Sequence, residues 1–171
     1  MLFRSTNHAK ATRPSQRFLD SVALKWVPDK RVGICKLTVE KSKGKYMIHG
    51  ETTEMDAILE VYATLNMPQR RIVDKIKLLP DASLGNKIHG LVKVGVMNMR
   101  KNPRHQAELL SQAVLGTPIR ILKDSNNYLL IQTPDKYIGW VSQSSVQRLS
   151  KIEMEQDRKS TRLNSSHGII S

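Results

Sequence analysis

The chain has one cysteine, Cys35, among its 171 residues, so no intrachain disulfide framework can form. A lone thiol carries no information about compartment. Aromatic residues make up only 5% of the sequence, which leaves little for a stacking surface. No apolar run approaches the length of a bilayer span. Residues Met1 to Pro14 lack an apolar h-region, so no export signal is visible. The histidines His8, His49, His89, His105 and His167 show no metal-ligand spacing with one another or with Cys35. Neither a metal nor any other cofactor is expected.

What the chain has in excess is positive charge. Hydrophobic and charged fractions of 39% and 25% are ordinary for a globular protein, but the net charge is +13. A pI of about 10.1 favours polyanions such as nucleic acid, anionic lipid or acidic cell-wall polymers. The charge is scattered, with no long basic block of the kind found in nucleic-acid-binding tails.

The segment from Asp157 to Ser171 resembles the translation of a common sequencing adapter, and fold reasoning excludes it. It is expected to be disordered. Its removal takes Arg158, Lys159 and Arg162 from 28 basic residues and Asp157 from 15 acidic ones, which leaves a net charge of +11. On this reading the natural protein continues beyond Gln156, and residues 1–14 are a disordered or truncated start.

Residues 15–80 read as a small α+β domain of order α-β-β-α-β. Phe18, Leu19, Val22, Trp26 and Val27 recur at helical spacing, and Pro28 ends the helix. Cys35, Leu37 and Val39 then alternate with Lys36, Thr38 and Glu40 as in a half-buried strand. Lys41 to Lys45 make a polar turn into a second strand holding Tyr46 and Ile48. Thr53 stands before Asp56 at capping-box spacing, and Met55, Ile58, Leu59 and Tyr62 follow as an apolar stripe. Asn66 and Pro68 close that helix, and Ile72 to Leu79 form a third strand ending at Pro80. Cys35, on an alternating strand, reads as a small buried hydrophobe rather than a nucleophile.

Residues 81–89 are polar, carry Gly85, and read as a linker. Residues 90–150 contain short β-rich runs, Leu91–Met99, Ala113–Leu115, Ile119–Leu122, Tyr128–Gln132 and Tyr137–Val141. Turn residues such as Gly116-Thr117-Pro118 and Pro134-Asp135 separate them, a pattern that predicts a small all-β barrel.

Three sets of residues in this stretch carry a resemblance. Asn98-Met99-Arg100-Lys101-Asn102-Pro103, Gly116-Thr117-Pro118-Ile119 and Gly139-Trp140-Val141 resemble the pattern of the bacterial SH3 domain. Asn127 departs from it, standing where the family usually has tryptophan. The run from Asn102 to Leu109, with Gln132-Thr133-Pro134-Asp135 and Tyr137-Ile138-Gly139-Trp140, is similar to a narrower subset. That subset precedes the catalytic domain of NlpC-family cysteine peptidases of γ-D-glutamyl-L-diamino acid endopeptidase type, mostly from Bacteroides-like bacteria. Asp29-Lys30-Arg31-Val32 and Leu79 to Gly85 resemble the lead-in of such proteins. Residues 15–80 resemble the BON-type fold of bacterial envelope proteins.

The resemblance implies a cell-envelope or periplasmic protein acting on murein peptide. It implies that residues 151–156 begin a linker to a catalytic domain whose cysteine motif this chain lacks. By motif position, Glu108 and Tyr137 would receive the free amino-terminal L-alanine of the peptide. A carboxylate and a phenol oxygen suit an alkylammonium ion. From spacing alone Glu108 is a solvated surface carboxylate, and Tyr137 a rim residue of the barrel core. Trp140 reads as a core pillar rather than a ligand platform, and Arg100 as a residue that pairs locally or caps a turn. Two readings from other classes stand beside this one. A basic small barrel can bind single-stranded nucleic acid, and an adaptor barrel can bind proline-rich ligands, although Asn127 argues against the latter.

Overall fold

The computed structural model describes residues 13–65 and 68–167. The expectations for residues 1–12, for Asn66 and for Ile170-Ser171 lie outside that range. The chain divides into two compact units: Ile34–Leu78 with the chain up to Lys30, and Leu79 onward with Arg31–Gly33.

The first unit has the expected order, α1 (Gln16–Trp26), β1 (Cys35–Ser42), β2 (Lys45–Thr52), α2 (Met55–Thr64) and β3 (Ile72–Leu78). Ser15 caps α1 by accepting a hydrogen bond from the Phe18 amide at 3.3 Å. β1 and β2 form an antiparallel hairpin, and β3 pairs parallel to β2 with α2 as the crossover. Lys43 and Gly44, both at positive φ, make the two-residue hairpin loop. Gly50 is required by a close approach: a Cβ there would stand 1.9 Å from the Lys36 carbonyl oxygen. Leu19, Val22, Leu37, Ile48, Ala57, Val61 and Leu65 form the core. Lys25 Nζ and Trp26 Nε1 both donate to Glu60 Oε2 at 2.6 Å, tying α1 to α2.

Helix α2 corrects two expectations. Its inward stripe is Ala57, Val61 and Leu65, while Met55 and Leu59 are 50% and 58% exposed. Thr53 does not cap it either. Glu54 stands at the cap without a side-chain bond, and Thr53 instead exchanges hydrogen bonds with the Ile34 backbone. That exchange ties the chain just before β1 to the end of β2.

The second unit holds β4 (His89–Val92), β5 (Val96–Arg100), β6 (Leu109–Val114), β7 (Pro118–Ser125), β8 (Tyr128–Gln132), β9 (Ile138–Ser142) and β10 (Val146–Leu149). They form one antiparallel sheet ordered β10-β4-β7-β8-β9-β5-β6, an all-β SH3-like barrel. The run Leu91–Met99 is therefore two strands, broken at Lys93–Gly95. Inside lie Val92, Met97, Met99, Ile121, Leu129, Ile131 and Val141, among others. Residues 81–89 are not a free linker. The Asp81 amide donates to Leu122, Leu84 is buried in the barrel core, and His89 opens β4.

Helix α3 (Lys151–His167) is the other correction, because residues 157–167 were expected to be disordered. Ser150 and Glu153 form a reciprocal capping box that starts the helix. The Ser150 amide donates to the Glu153 carboxylate at 2.7 Å, and the Glu153 amide donates to Ser150 Oγ at 3.3 Å. These bonds hold the Glu153 carboxyl below its ordinary range. Met154 is the buried anchor, while Asp157, Lys159 and Ser160 are exposed.

Stability should therefore reside in the first turn of α3. Deleting residues 157–171 is expected to leave the Tm unchanged within error. Met154→Ala should cost about 2 kcal/mol, the low end for a buried methionine. Thermal unfolding of both variants checks this, and an equal loss from the deletion would show that the distal helix packs.

Candidate functional site

The family-like motifs acquire physical roles in the barrel. In Asn98-Met99-Arg100, Met99 is fully buried and the Asn98 side chain accepts from Gln112 across the β5–β6 pair at 2.9 Å. The register shifts between Met99 and Arg100, and the chain then leaves the sheet as the loop 101–108. Arg100 closes that loop from inside by donating to the Ala107 carbonyl at 2.8 Å, as its expected turn-capping role requires. The Lys101 amide donates to Glu108 O at 3.0 Å and closes the neck.

Gly139-Trp140-Val141 divides between the two faces of the sheet. Gly139 faces inward, where a Cβ would stand 3.0 Å from Met99 Cβ, and Val141 is buried beside the same core. Trp140 alternates outward, only half-buried, with Lys123 Nζ 5.6 Å from its ring centre. It is thus no core pillar, because the inward positions of β9 belong to its neighbours. Asn126 and Asn127 both adopt positive φ in the turn from Ser125 to Tyr128. A type I′ turn favours asparagine there, which accounts for the absence of tryptophan.

Register brings Glu108 and Tyr137 to the same end of the barrel. Arg100 pairs with Leu109 on one side and with Trp140 on the other. Loop 101–108 and the approach to β9 therefore leave the sheet together. The two residues are held differently. The Glu108 carboxylate reaches Lys101 Nζ at 2.9 Å, with the two side chains 62% and 61% exposed. An ion pair so open to water contributes little to stability, and its partner is readily exchanged. Tyr137 packs against the core, and the Arg31 guanidinium lies 5.8 Å from its ring centre.

Tyr137 is fixed by a turn that the sequence displays as Thr133-Pro134-Asp135. Thr133 is buried; its amide and hydroxyl both approach the Tyr137 carbonyl, at 3.0 and 3.1 Å, and the hydroxyl also bonds Asp135. Lys136, at positive φ, completes the turn. Arg31 and Lys101 are the residues that sequence reasoning passed over at this end. Arg31–Gly33 continues the ladder that β5 abandons: the Ile138 amide donates to Arg31 O at 2.8 Å, and Gln132 Nε2 donates to Val32 O at 3.0 Å. No local pattern announces a pairing across about a hundred residues, whereas Lys101 stands within the motif itself.

Chemistry of other kinds has little to build on. Among the described residues no three His, Cys, Asp or Glu side chains group as metal ligands. No helix among them is long and apolar enough to cross a membrane. Cys35 lies half-buried on β1, and burial pushes its thiol up; the Thr52 hydrogen bond lowers it less, and Glu54 adds to the rise.

The sign of that shift fixes the reactivity of the thiol. A raised pKa keeps Cys35 protonated at neutral pH, so iodoacetamide should alkylate it more slowly than free cysteine, with the rate still climbing above pH 9. Faster labelling than free cysteine at pH 7 would mean an activated thiol instead.

A search of curated proteins returns no match. Residues 95–147, from the turn before β5 into β10, match the family model of the bacterial SH3 domain, and that is the domain the second unit carries.

Proposed function

We propose that the barrel is a murein-peptide recognition module, the non-catalytic part of a cell-envelope cysteine peptidase of the NlpC family. In this reading Glu108 and Tyr137 receive the free amino end of L-Ala-γ-D-Glu-diamino acid peptides, and the barrel positions a catalytic domain. The observation that carries it is the loop 101–108. Arg100 pins the loop at its base while its last residue, Glu108, stays exposed at the end of the barrel where Tyr137 is fixed. An ammonium ion can replace Lys101 at that carboxylate, and an acylated, uncharged amine cannot. The α-β-β-α-β unit is then a BON-like companion domain.

Catalysis is assigned to residues other than those of this chain. The protonated, strand-bound Cys35 has neither the activation nor the motif of a peptidase nucleophile. A nucleic-acid reading gains nothing from the outward turn of Trp140. Its cross-strand partner Leu130 is only 5% exposed, so these strands present no open stacking groove.

The test rebuilds the parent by fusing residues 1–156 to a related catalytic domain. Glu108→Gln should lower kcat/KM for free-amine peptides about ten- to a hundred-fold, the worth of a charge-assisted hydrogen bond of about 1.5–3 kcal/mol. Tyr137→Phe should cost less, about 0.5–1.5 kcal/mol. Both losses should shrink for N-acetylated peptides. Equal losses on both substrates would make Glu108 a docking or folding residue, and no loss on either would make it a solvated surface carboxylate.

A further inference from the structure

The outer face of the barrel holds a cavity of about 680 Å³ between β4, β7 and the start of α3. Its size is that of a small-ligand site, and its lining mixes apolar residues with polar and charged ones. Leu91 and Pro118 are cross-strand partners on the floor, and the α3 anchor Met154 lines the wall. One polar row crosses the floor: His89 pairs with Arg120, and Arg120 with Gln132, on three adjacent strands.

Arg120 is the unusual member of that row. Its exposed guanidinium makes no ion pair among the described residues, although Glu155 of α3 lines the same cavity. Lys151 likewise has no ion pair among the described residues. The N–H fork of Arg120 is therefore unspent, and a planar carboxylate is the group that takes two of its bonds at once. Glu155 offsets part of the charge of Arg120 and Lys151, so the planar fork of Arg120 rather than a strong positive field would select the ligand.

We propose that this groove binds a short peptide or acyl-amino acid through its terminal carboxylate. The carboxylate rests on Arg120, and an aliphatic side chain lies on Leu91, Pro118 and Met154. The site reads an acid rather than an amine, so it stands whether or not Glu108 and Tyr137 act as argued above.

Amide chemical shifts of the full chain, titrated with acetyl-leucyl-leucine and with its C-terminal amide, test the assignment. The free acid should shift signals from β4, β7 and α3 saturably, and the amide should bind about ten- to a hundred-fold more weakly. Arg120→Gln should bring the acid down to the affinity of the amide, and Arg120→Lys, which keeps the charge and loses the fork, should fall between. Lys36→Gln on the exposed face of β1 should change neither. Unchanged thermal melts show that the variants fold. The proposal is overturned if the free acid shifts nothing at millimolar concentration, if acid and amide bind equally, or if Arg120→Gln keeps the preference. Displacement of the acid by an equal concentration of inorganic phosphate would also overturn it, because the groove would then read charge alone.

Discussion

Strand β5 pairs with β9 at one position, Arg100 opposite Trp140, and past it the backbone leaves the sheet. A strand that ends early leaves its neighbour's amide and carbonyl groups without partners, and buried groups in that state are costly. The protein meets the demand twice over. Arg31 O, drawn from before β1, accepts from the Ile138 amide, Val32 O accepts from the Gln132 side chain, and the Arg100 side chain donates to a carbonyl of the departing loop. The loop can then carry an exposed carboxylate without fraying the sheet. Tyr137 is held in place beneath the Arg31 guanidinium by the same repair.

The packing behind this arrangement rests on the missing side chain of Gly139. Met99 is fully buried and fills the space that a Cβ at 139 would need. A larger residue would push β9 away from β5 at the point where their single pair is made. The two signatures Asn-Met-Arg and Gly-Trp-Val, forty residues apart, are thus one contact seen from two strands. Conversely, Asn127 departs from the family pattern at a place where turn geometry decides the residue.

Local patterns were legible wherever one element's own backbone decides the outcome. Ser15 and Val27 bound α1 as the spacing indicates, and the alternation of Cys35, Leu37 and Val39 places them on the inner face of β1. Helix α2 departs from the apolar stripe its sequence displays. Ala57, Val61 and Leu65 are buried while the larger Met55 and Leu59 stay exposed, so the stripe turns by about a third of the helix. Capping signals failed in both directions. Thr53-x-x-Asp56 has the spacing, but its hydroxyl bonds Ile34, whereas Ser150-x-x-Glu153 forms the box. The stitching of Arg31–Gly33 into the barrel has no local signature, since it depends on where β5 stops. Glu108 and Tyr137 were located by motif alone, and their shared position at one end of the barrel follows from the register.

Charge sets the range over which any recognition here can work. The chain carries a net +13, so at a distance it repels an ammonium ion. At physiological ionic strength that repulsion is screened beyond about 8 Å, and only the nearest groups decide a contact. Around Glu108 the nearest cation is Lys101, whose exposed ion pair is weak and exchangeable. Selectivity for a free amine would therefore arise at contact rather than by steering. Added salt would weaken the competing Lys101 pair along with the ligand's own, which limits the ionic-strength dependence of free-amine binding. In the α3 groove Glu155 offsets part of the charge of Arg120 and Lys151, and the fork of Arg120 sets the geometry of a contact. A basic chain of this kind can hold one site for an amine and another for an acid, because each is defined within a Debye length.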